Sequence, residues 1–219
     1  HEAASLVADP TIKLETGAYS ELIKLGFRRS GGMAYRPHCG ACRACVAIRI
    51  PVISFHPSRG QRRIWKKNTD LEFTSLSLEF HEEHYQLYQR YQSARHSGSS
   101  MDTDDRDKYM SFFAAEGLDS RLVEFRCTGK LICVAVIDWL PAGLSSMYTF
   151  YDPEYKSRGL GVYAILWQIM KAREIGLPHV YLGYWIDDCD KMSYKTRYRP
   201  YELFLRQQWH LINKIYPTA

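Results

Sequence analysis

The chain has 219 residues, of which 46% are hydrophobic and 24% charged, and its formal net charge is +5. This apolar content is enough for a packed core and excludes an intrinsically disordered chain. No apolar run approaches the ~20 residues that cross a bilayer, so no membrane partner is expected, and six cysteines in a chain of this length indicate a reducing, cytoplasmic protein rather than a disulfide-stapled one.

The chain divides into two regions by composition. Residues 1–70 hold a cysteine cluster followed by a basic segment, and residues 71–219 alternate helix-like and strand-like stretches. We interpret this as a small N-terminal region that precedes a larger α/β domain. The composition gives no indication of the oligomeric state.

The first motif is "HCGACRAC", which places Cys39, Cys42 and Cys45 at Cys-x2-Cys-x2-Cys spacing. Thiolates at this spacing can close on zinc or on an iron–sulfur cluster. A closed site needs a fourth ligand, and His38 is too close in sequence to Cys39 to share one metal without strain. The alternative is three reduced thiols packed in a small domain. No cofactor is expected to be required for catalysis.

The second motif is the basic segment "SRGQRRIWKK". Ser58 and Gln61 have the spacing of a capping box, which predicts that a helix begins here. The cations of this helix fall at positions i, i+3, i+4, i+7 and i+8 and therefore share one face: Arg59, Arg62, Arg63, Lys66 and Lys67. A nucleic-acid backbone would offset their mutual repulsion; the alternative is a solvated surface face.

The remaining elements predict a mixed α/β order. Apolar spacing predicts a helix over about 81–95, and "DTDDRDKYMSFFAA" predicts a second helix with acidic residues at its start. "RLVEFR", the turn "CTGK" and "LICVAVIDWL" predict a hairpin, and "LSSMYTFY" and "HVYLGYWI" predict further strands. A helix between the last two has a predicted apolar stripe of Val162, Ile165, Leu166, Ile169 and Met170. This order resembles the mixed-sheet acyltransferase fold of the GNAT superfamily.

A glycine loop precedes that helix. Lys156, Ser157, Arg158, Gly159, Leu160 and Gly161 nearly match the Gln/Arg-x-x-Gly-x-Gly/Ala loop of GNAT enzymes, with lysine in the first position. Glycines let backbone N–H groups approach an anion, and a helix N-terminus adds favourable partial charge. The loop predicts a phosphate-bearing donor; the alternative is an ordinary strand-to-helix turn.

Three longer segments carry a family resemblance. They are "GFRRSGGMAYRPHCGACRACVAIRIPVISFHPSRGQRR", "FYDPEYKSRGLGVYAILWQI" and "LGYWIDDCDKMSYKTRYRPYE". Together they resemble the bacterial aspartate/glutamate leucyltransferases, which are relatives of the eukaryotic arginyl-tRNA–protein transferases. The similarity covers nearly the whole chain.

The resemblance implies a reaction and its partners. Leucine would move from leucyl-tRNA to the α-amine of proteins that begin with Asp or Glu, which marks them for degradation through the N-degron pathway. The tRNA 3′ end would lie where GNAT relatives bind coenzyme A, and the basic helix, Lys156, Arg158, Gly159 and Gly161 would bind its phosphates. The alternatives are an arginyl-tRNA-dependent transferase, an acetyltransferase that uses acetyl-CoA and a nucleic-acid-binding module without catalysis.

The reaction also implies candidate site residues. An acidic acceptor needs a cationic site, and Lys191 and Lys195 would be i, i+4 neighbours if "DKMSYKTRY" is helical; Arg49 and Arg197 are the second candidates. Tyr151, Tyr194 and Lys195 are the candidates for the chemical step, and Tyr148 would line the groove with Tyr151. Each of these has the alternative of a surface charge or a half-buried tyrosine. We do not expect Cys189 to be a nucleophile, because a lone cysteine is more often packed.

Overall fold

The computed structural model describes residues 3–9, 11–95 and 105–212. Within them the α-helices are α1 Thr16–Lys24, α2 Arg59–Lys67, α3 Glu82–Arg95, α4 Arg106–Phe113 and α5 Leu160–Glu174. The strands are β1 Ser5–Val7, β2 Arg28–Ser30, β3 Met33–Pro37, β4 Val46–Pro51, β5 Glu72–Ser77, β6 Ser120–Cys127, β7 Lys130–Leu140, β8 Gly143–Tyr151, β9 His179–Trp185, β10 Tyr201–Leu205 and β11 Gln208–Ile212. Two 3₁₀ helices, Pro153–Arg158 and Ser193–Arg197, follow β8 and β9.

An eight-stranded mixed sheet organises the fold, with the order β11-β10-β4-β9-β8-β7-β6-β5. Its neighbouring strands are antiparallel except for β8 and β9, which are parallel and are connected through α5. Parallel neighbours need a crossover connection, and here a helix provides it. The predicted mixed α/β architecture is confirmed.

Helices cover both faces of the sheet. Alternate residues of β7 pack on opposite faces of the sheet. Cys133 and Ala135 belong to the core beneath α2 and α5, whereas Val134 and Val136 belong to the core beneath α3 and α4. This alternation is the two-residue period of an extended strand. The central strands are therefore buried on both faces.

A second, three-stranded sheet of β1, β3 and β2 packs with α1 against one side of the large sheet. Tyr19, Ile23 and Phe27 form its core together with Leu140 and Tyr181 of the large sheet. The predicted division at residue 70 stays a prediction. In the structure β4 lies inside the large sheet, and α2 packs on α5.

Most elements match their sequence patterns. The helix expected over 81–95 is α3, and α4 begins after Asp105, whose side chain accepts a hydrogen bond from the Lys108 N–H at 2.8 Å; residues 102–104 of that prediction lie outside the described residues. The predicted stripe of α5 is wrong at Met170, which is 45% exposed. Met170 lies at the rim of a surface depression, where it remains in contact with solvent.

No helix in the described part of the chain is long and apolar enough to cross a membrane.

Candidate active site

Strands β8 and β9 are neighbours in the middle of the large sheet, but they pair over only a short stretch. In the described structure these strands pair only at Leu144 with Val180 and at Ser145 with Tyr181. Strand β8 continues to Tyr151 and β9 to Trp185. Because these two ends do not pair with each other, we infer that the strands separate there and leave a cleft between them. Such a gap at the carboxyl ends of parallel strands is a common position for ligands in α/β proteins.

Arg28 from β2 lies at the closed end of this cleft. Its Nη2 donates a hydrogen bond to the Ser146 carbonyl at 3.0 Å, and its Nη1 lies 3.4 Å from the Ser145 hydroxyl. The guanidinium lies against Gly183, where an added Cβ would come within 3.0 Å of the Arg28 Nε. Gly183 has φ +82°, a conformation that disfavours other residues, so this glycine allows the arginine to approach the sheet.

The sequence prediction missed Arg28, although its segment was part of the family resemblance. Successive residues of a strand point to opposite sides, so Arg28 and Arg29 cannot share an environment. Arg29 is buried and paired with Asp138, whereas no carboxylate of the described residues lies within salt-bridge distance of Arg28. A pair of arginines on a short strand was the available signal that one of them faces a site.

Lys195 is the buried cation of the signature segment. Its ammonium donates a hydrogen bond to the Tyr184 carbonyl, and 9% of the residue is exposed. Burial and, to a smaller extent, the charge of Arg28 lower the pKa of Lys195 to about 7, while Cys189 opposes the shift. A lysine in this state can act as a proton acceptor near neutral pH.

The other predicted acceptor-binding residues lie apart from Lys195. The condition for pairing Lys191 with Lys195, an α-helix over 190–198, is not met, because a turn precedes the short 3₁₀ helix Ser193–Arg197. Lys191 is therefore exposed and does not lie one helical turn from Lys195. Arg197 is also exposed, and Arg49 is paired with Glu202 at 2.5 Å and lies over the Trp209 ring.

Tyrosine hydroxyls border the cleft. The Tyr151 hydroxyl accepts a hydrogen bond from Arg95 Nη1 at 2.9 Å, and its ring lies 5.0 Å from that of Tyr91. Tyr148 accepts a hydrogen bond from the Gln92 amide at 3.0 Å. Burial raises the pKa of Tyr194, against the opposing charges of Arg28 and Arg95, so this hydroxyl stays protonated at neutral pH.

The glycine loop lies next to Tyr151. Gly159 has φ +68° and ends the first 3₁₀ helix, and its carbonyl accepts the N–H groups of Val162 and Tyr163 as α5 begins. A Cβ on Gly161 would lie 3.6 Å from the Tyr151 ring. The first N–H groups of a helix lack intrahelical partners, so α5 begins beside the cleft with donors available to an anion.

The basic helix packs directly on the glycine loop. The Lys67 ammonium donates to the Ser157 carbonyl at 2.8 Å, and the Asn68 amide donates to the Arg158 carbonyl at 3.0 Å. Gly159 is also a close contact, since a Cβ there would lie 3.2 Å from the Ile64 Cδ1. Two motifs about 90 residues apart in sequence thus form one continuous surface.

The predicted phosphate-binding cations differ in their availability. The α2 cations and Lys156 are exposed, whereas Arg158 makes a two-pronged ion pair with Asp70, with both contacts at 2.8 Å. This hydrogen bonding to Arg158 lowers the pKa of Asp70 to about 2. Arg158 therefore already has a carboxylate partner that fixes the loop against the end of α2.

The cysteine cluster forms a loop that borders a groove of about 600 Å³. Burial raises the pKa of Cys45, and the neighbouring thiols of Cys42 and Cys39 add to this. Among residues 3–9, 11–95 and 105–212, no group of three or more His, Cys, Asp or Glu side chains is arranged to hold a metal ion. The side chains of this cluster therefore do not fit a metal site.

Solved structures share this fold. FemX superimposes with a TM-score of 0.53 at 11% identity, over 80% of this chain and 61% of that chain. The L-PGS of Bacillus licheniformis superimposes with a TM-score of 0.51 at 11% identity, over 66% of this chain and 46% of that one. At such low identity the likeness concerns the fold alone, and it agrees with the GNAT-like mixed-sheet fold expected from the sequence.

Sequence comparisons identify the family. The models described as arginine-tRNA-protein transferase, N terminus and C terminus, match residues 1–63 and 83–205. The aspartate/glutamate leucyltransferase of Pseudomonas fluorescens strain Pf0-1 is 49% identical over 97% of this chain and 90% of that protein. The enzyme of the same name from Chromobacterium violaceum is 48% identical over 95% of this chain and 86% of that protein. The chain therefore belongs to the aspartate/glutamate leucyltransferases, within the wider family of arginine-tRNA–protein transferases.

Proposed function

We propose that this protein transfers leucine from leucyl-tRNA to the α-amine of proteins that begin with Asp or Glu. The observation that carries the proposal is the packing of α2 against the glycine loop, because it joins an exposed cationic face to the cleft. Acetyl-CoA carries few phosphates and would not need an extended cationic face, whereas a tRNA acceptor stem presents a row of phosphates. The names of the curated relatives support leucine as the group transferred.

The chemical step exchanges an ester for an amide. The α-amine nitrogen attacks the leucyl carbonyl carbon, the C–N bond forms, and the bond from that carbon to the ribose oxygen breaks. The amine must lose a proton and the departing ribose oxygen must gain one. We assign the first proton to Lys195, whose burial and low pKa suit an acceptor.

Tyrosine hydroxyls are candidates to donate the proton that the departing ribose oxygen must gain. The Tyr151 oxygen accepts from Arg95, so its own hydrogen is left to donate to the ribose oxygen or to the developing oxyanion. Tyr194 stays protonated beside Lys195, whose ammonium nitrogen lies 6.0 Å from its ring centre. Since an aminoacyl ester is already activated, positioning of the two substrates supplies much of the rate.

The exposed face of α2 gives the first prediction. Arg63 and Lys66 have no side-chain hydrogen bond or ion pair with the described residues. If they bind phosphates, the variant Arg63→Ala/Lys66→Ala should bind tRNA more weakly, and the slope of log K against log salt should fall by about one unit per lost contact. Binding titrations of leucyl-tRNA at several salt concentrations measure this slope.

The matched control removes two surface cations elsewhere. Lys13 and Lys24 are exposed and form surface ion pairs with Glu116 and Glu21, so Lys13→Ala/Lys24→Ala lowers the net charge equally without touching α2. It should leave the slope unchanged. Equal slopes for the wild type and for both double variants would show that this face of α2 does not bind tRNA.

The identity of the donor is tested by comparing three donors. Labelled leucyl-tRNA, arginyl-tRNA and acetyl-CoA are offered in parallel with a peptide that begins with Glu, and the modified peptide is identified by mass spectrometry. The proposal predicts leucylated peptide. Arginylated peptide would instead assign the arginyl-tRNA activity, acetylated peptide the acetyl-CoA reaction, and tRNA binding without any product a binding module.

The product enters the N-degron pathway of protein degradation, because leucine is placed at the N-terminus of the acceptor. The protein works in the cytoplasm, which agrees with six cysteines that are all free thiols.

A further inference from the structure

Arg28 is a half-buried arginine without an anionic partner among the described residues. Its two hydrogen bonds go to the Ser146 carbonyl and the Ser145 hydroxyl, and a guanidinium has five N–H donors. The neighbouring Arg29 shows the contrast, because both of its Nη atoms and its Nε are satisfied within the protein. A partly desolvated cation without a carboxylate costs free energy unless a ligand supplies the anion.

The surroundings of Arg28 select the kind of anion. Tyr19, Tyr184, Tyr194 and Lys195 are the titratable groups on which its charge acts. They are aromatic or cationic, and the Asp138 that lies nearby is already bound to Arg29. The exposed cations that suit a tRNA backbone lie on α2, whereas Arg28 lies at the closed end of the cleft. A small carboxylate fits this position better than a bulky phosphodiester.

The position also matches the geometry of an acidic N-terminus. In an N-terminal Asp or Glu the carboxylate and the α-amine belong to one residue, so the group that binds the carboxylate must lie close to the group that takes the proton. The Arg28 guanidinium lies against Gly183, and the Lys195 ammonium donates to the carbonyl of the next residue, Tyr184, so the two cations contact consecutive residues of β9. Lys195 cannot serve both roles, because the proton acceptor must be neutral when it acts.

We infer that Arg28 binds the side-chain carboxylate of the acceptor's first residue and thereby sets the specificity for Asp and Glu. The inference rests on the proposed leucyl transfer and assigns the acceptor subsite within that function. Arg28 takes the place of Lys191, Arg49 and Arg197 as the cation that binds the acceptor carboxylate, since those residues are exposed or already paired.

The test compares peptides that begin with Glu and with Gln. A site built to pair a charge rejects a neutral isostere, because its own cation is then left unpaired. For Arg28→Met we expect kcat/KM for the Glu peptide to fall about 100-fold, with a change under about 3-fold for the Gln peptide. Arg28→Lys keeps the charge without the two-pronged fork and should retain part of the Glu preference. Lys24→Met, on the exposed end of α1, is the control and should keep the wild-type ratio.

Each other outcome has a defined meaning. An unchanged Glu-to-Gln ratio in Arg28→Met, or an equal loss for both peptides in a folded variant, overturns the inference and leaves Arg28 as a support for Gly183. A weaker tRNA affinity with the ratio intact would make Arg28 a phosphate ligand, which also overturns it. If the wild type transfers no leucine to either peptide, the proposed function fails instead, so the two failures are distinguishable.

Discussion

Replacing Lys195 by methionine is expected to lower kcat/KM for leucine transfer by about 100-fold or more, which is the usual contribution of a positioned acid or base. Methionine keeps much of the apolar stem and removes the amine that takes the proton. The tRNA affinity should be unchanged, because Lys195 is buried and α2 is not altered. Single-turnover rates with saturating leucyl-tRNA separate the two effects.

The pH profile gives this prediction a second readout. Several groups face the Lys195 amine: the Arg28 guanidinium, the Cys189 thiol, the Tyr184 carbonyl and the Tyr194 ring. Since burial and then the charge of Arg28, opposed by Cys189, bring the pKa of Lys195 to about 7, the wild-type kcat/KM should rise as the pH increases through that value. Residual activity of Lys195→Met should lack this rise. A full rise in the variant would assign the titration to another group.

The same residue predicts a pH-dependent stability difference. A lysine has an ordinary pKa of 10.5, whereas folded Lys195 has a pKa of about 7. Between these values the unfolded chain binds more protons, so this residue makes the free energy of unfolding rise with pH. Below about pH 7 both states are protonated, and the full cost of burying the cation is present. Relative to wild type, Lys195→Met should therefore be most stable at pH 6 and should lose part of that advantage by pH 9, as measured by urea unfolding.

Asp138→Asn is expected to destabilise the fold by about 3–5 kcal/mol, the usual cost of leaving one member of a buried ion pair uncompensated. Arg29 and Asp138 have side chains that are 0% exposed, and they make contacts of 3.0 and 2.5 Å. Ser120 also donates to Asp138 at 2.7 Å. The pair joins β2 of the small sheet to β7 of the large one, so its loss weakens the contact between the two sheets.

A double variant separates the charge effect from general disruption. Arg29→Met/Asp138→Leu removes both charges and replaces them with apolar side chains, which often restores much of the stability. It should therefore be more stable than Asp138→Asn in urea unfolding at neutral pH. A cost below about 1 kcal/mol for Asp138→Asn, or a double variant that is the less stable of the two, would contradict the description of this pair as a buried, mutually dependent one.

Local signals in the sequence predicted their structures well. The capping box of α2 is present as expected, with the Ser58 hydroxyl accepting from the Gln61 N–H and the Gln61 side chain accepting from the Ser58 N–H. The β6–β7 turn formed where "CTGK" placed it, and Thr128 and Gly129 both have positive φ. Such features depend on a few consecutive residues and can therefore be recognised without knowledge of the fold.

The centre of the candidate site depends on contacts between distant residues. Arg28 reaches Ser145 and Ser146, which are more than 100 residues away in sequence, and no local pattern specifies that approach. The segment around Lys195 is not α-helical for a related reason. A few residues of suitable spacing are too short to form an α-helix alone, and here Lys195 is buried with its ammonium bonded to the distant Tyr184 carbonyl.

The most direct test of the proposed function follows the site of leucine attachment. Wild-type protein is mixed with leucyl-tRNA and with four peptides that begin with Glu, Asp, Gln or α-acetylated Glu, and the products of a single turnover are sequenced by tandem mass spectrometry. Leucine on the α-amine of the Glu and Asp peptides, with little on Gln and none on the acetylated peptide, is the predicted result. Leucine on lysine side chains, equal labelling of Glu and Gln peptides, or no transfer from leucyl-tRNA would contradict it.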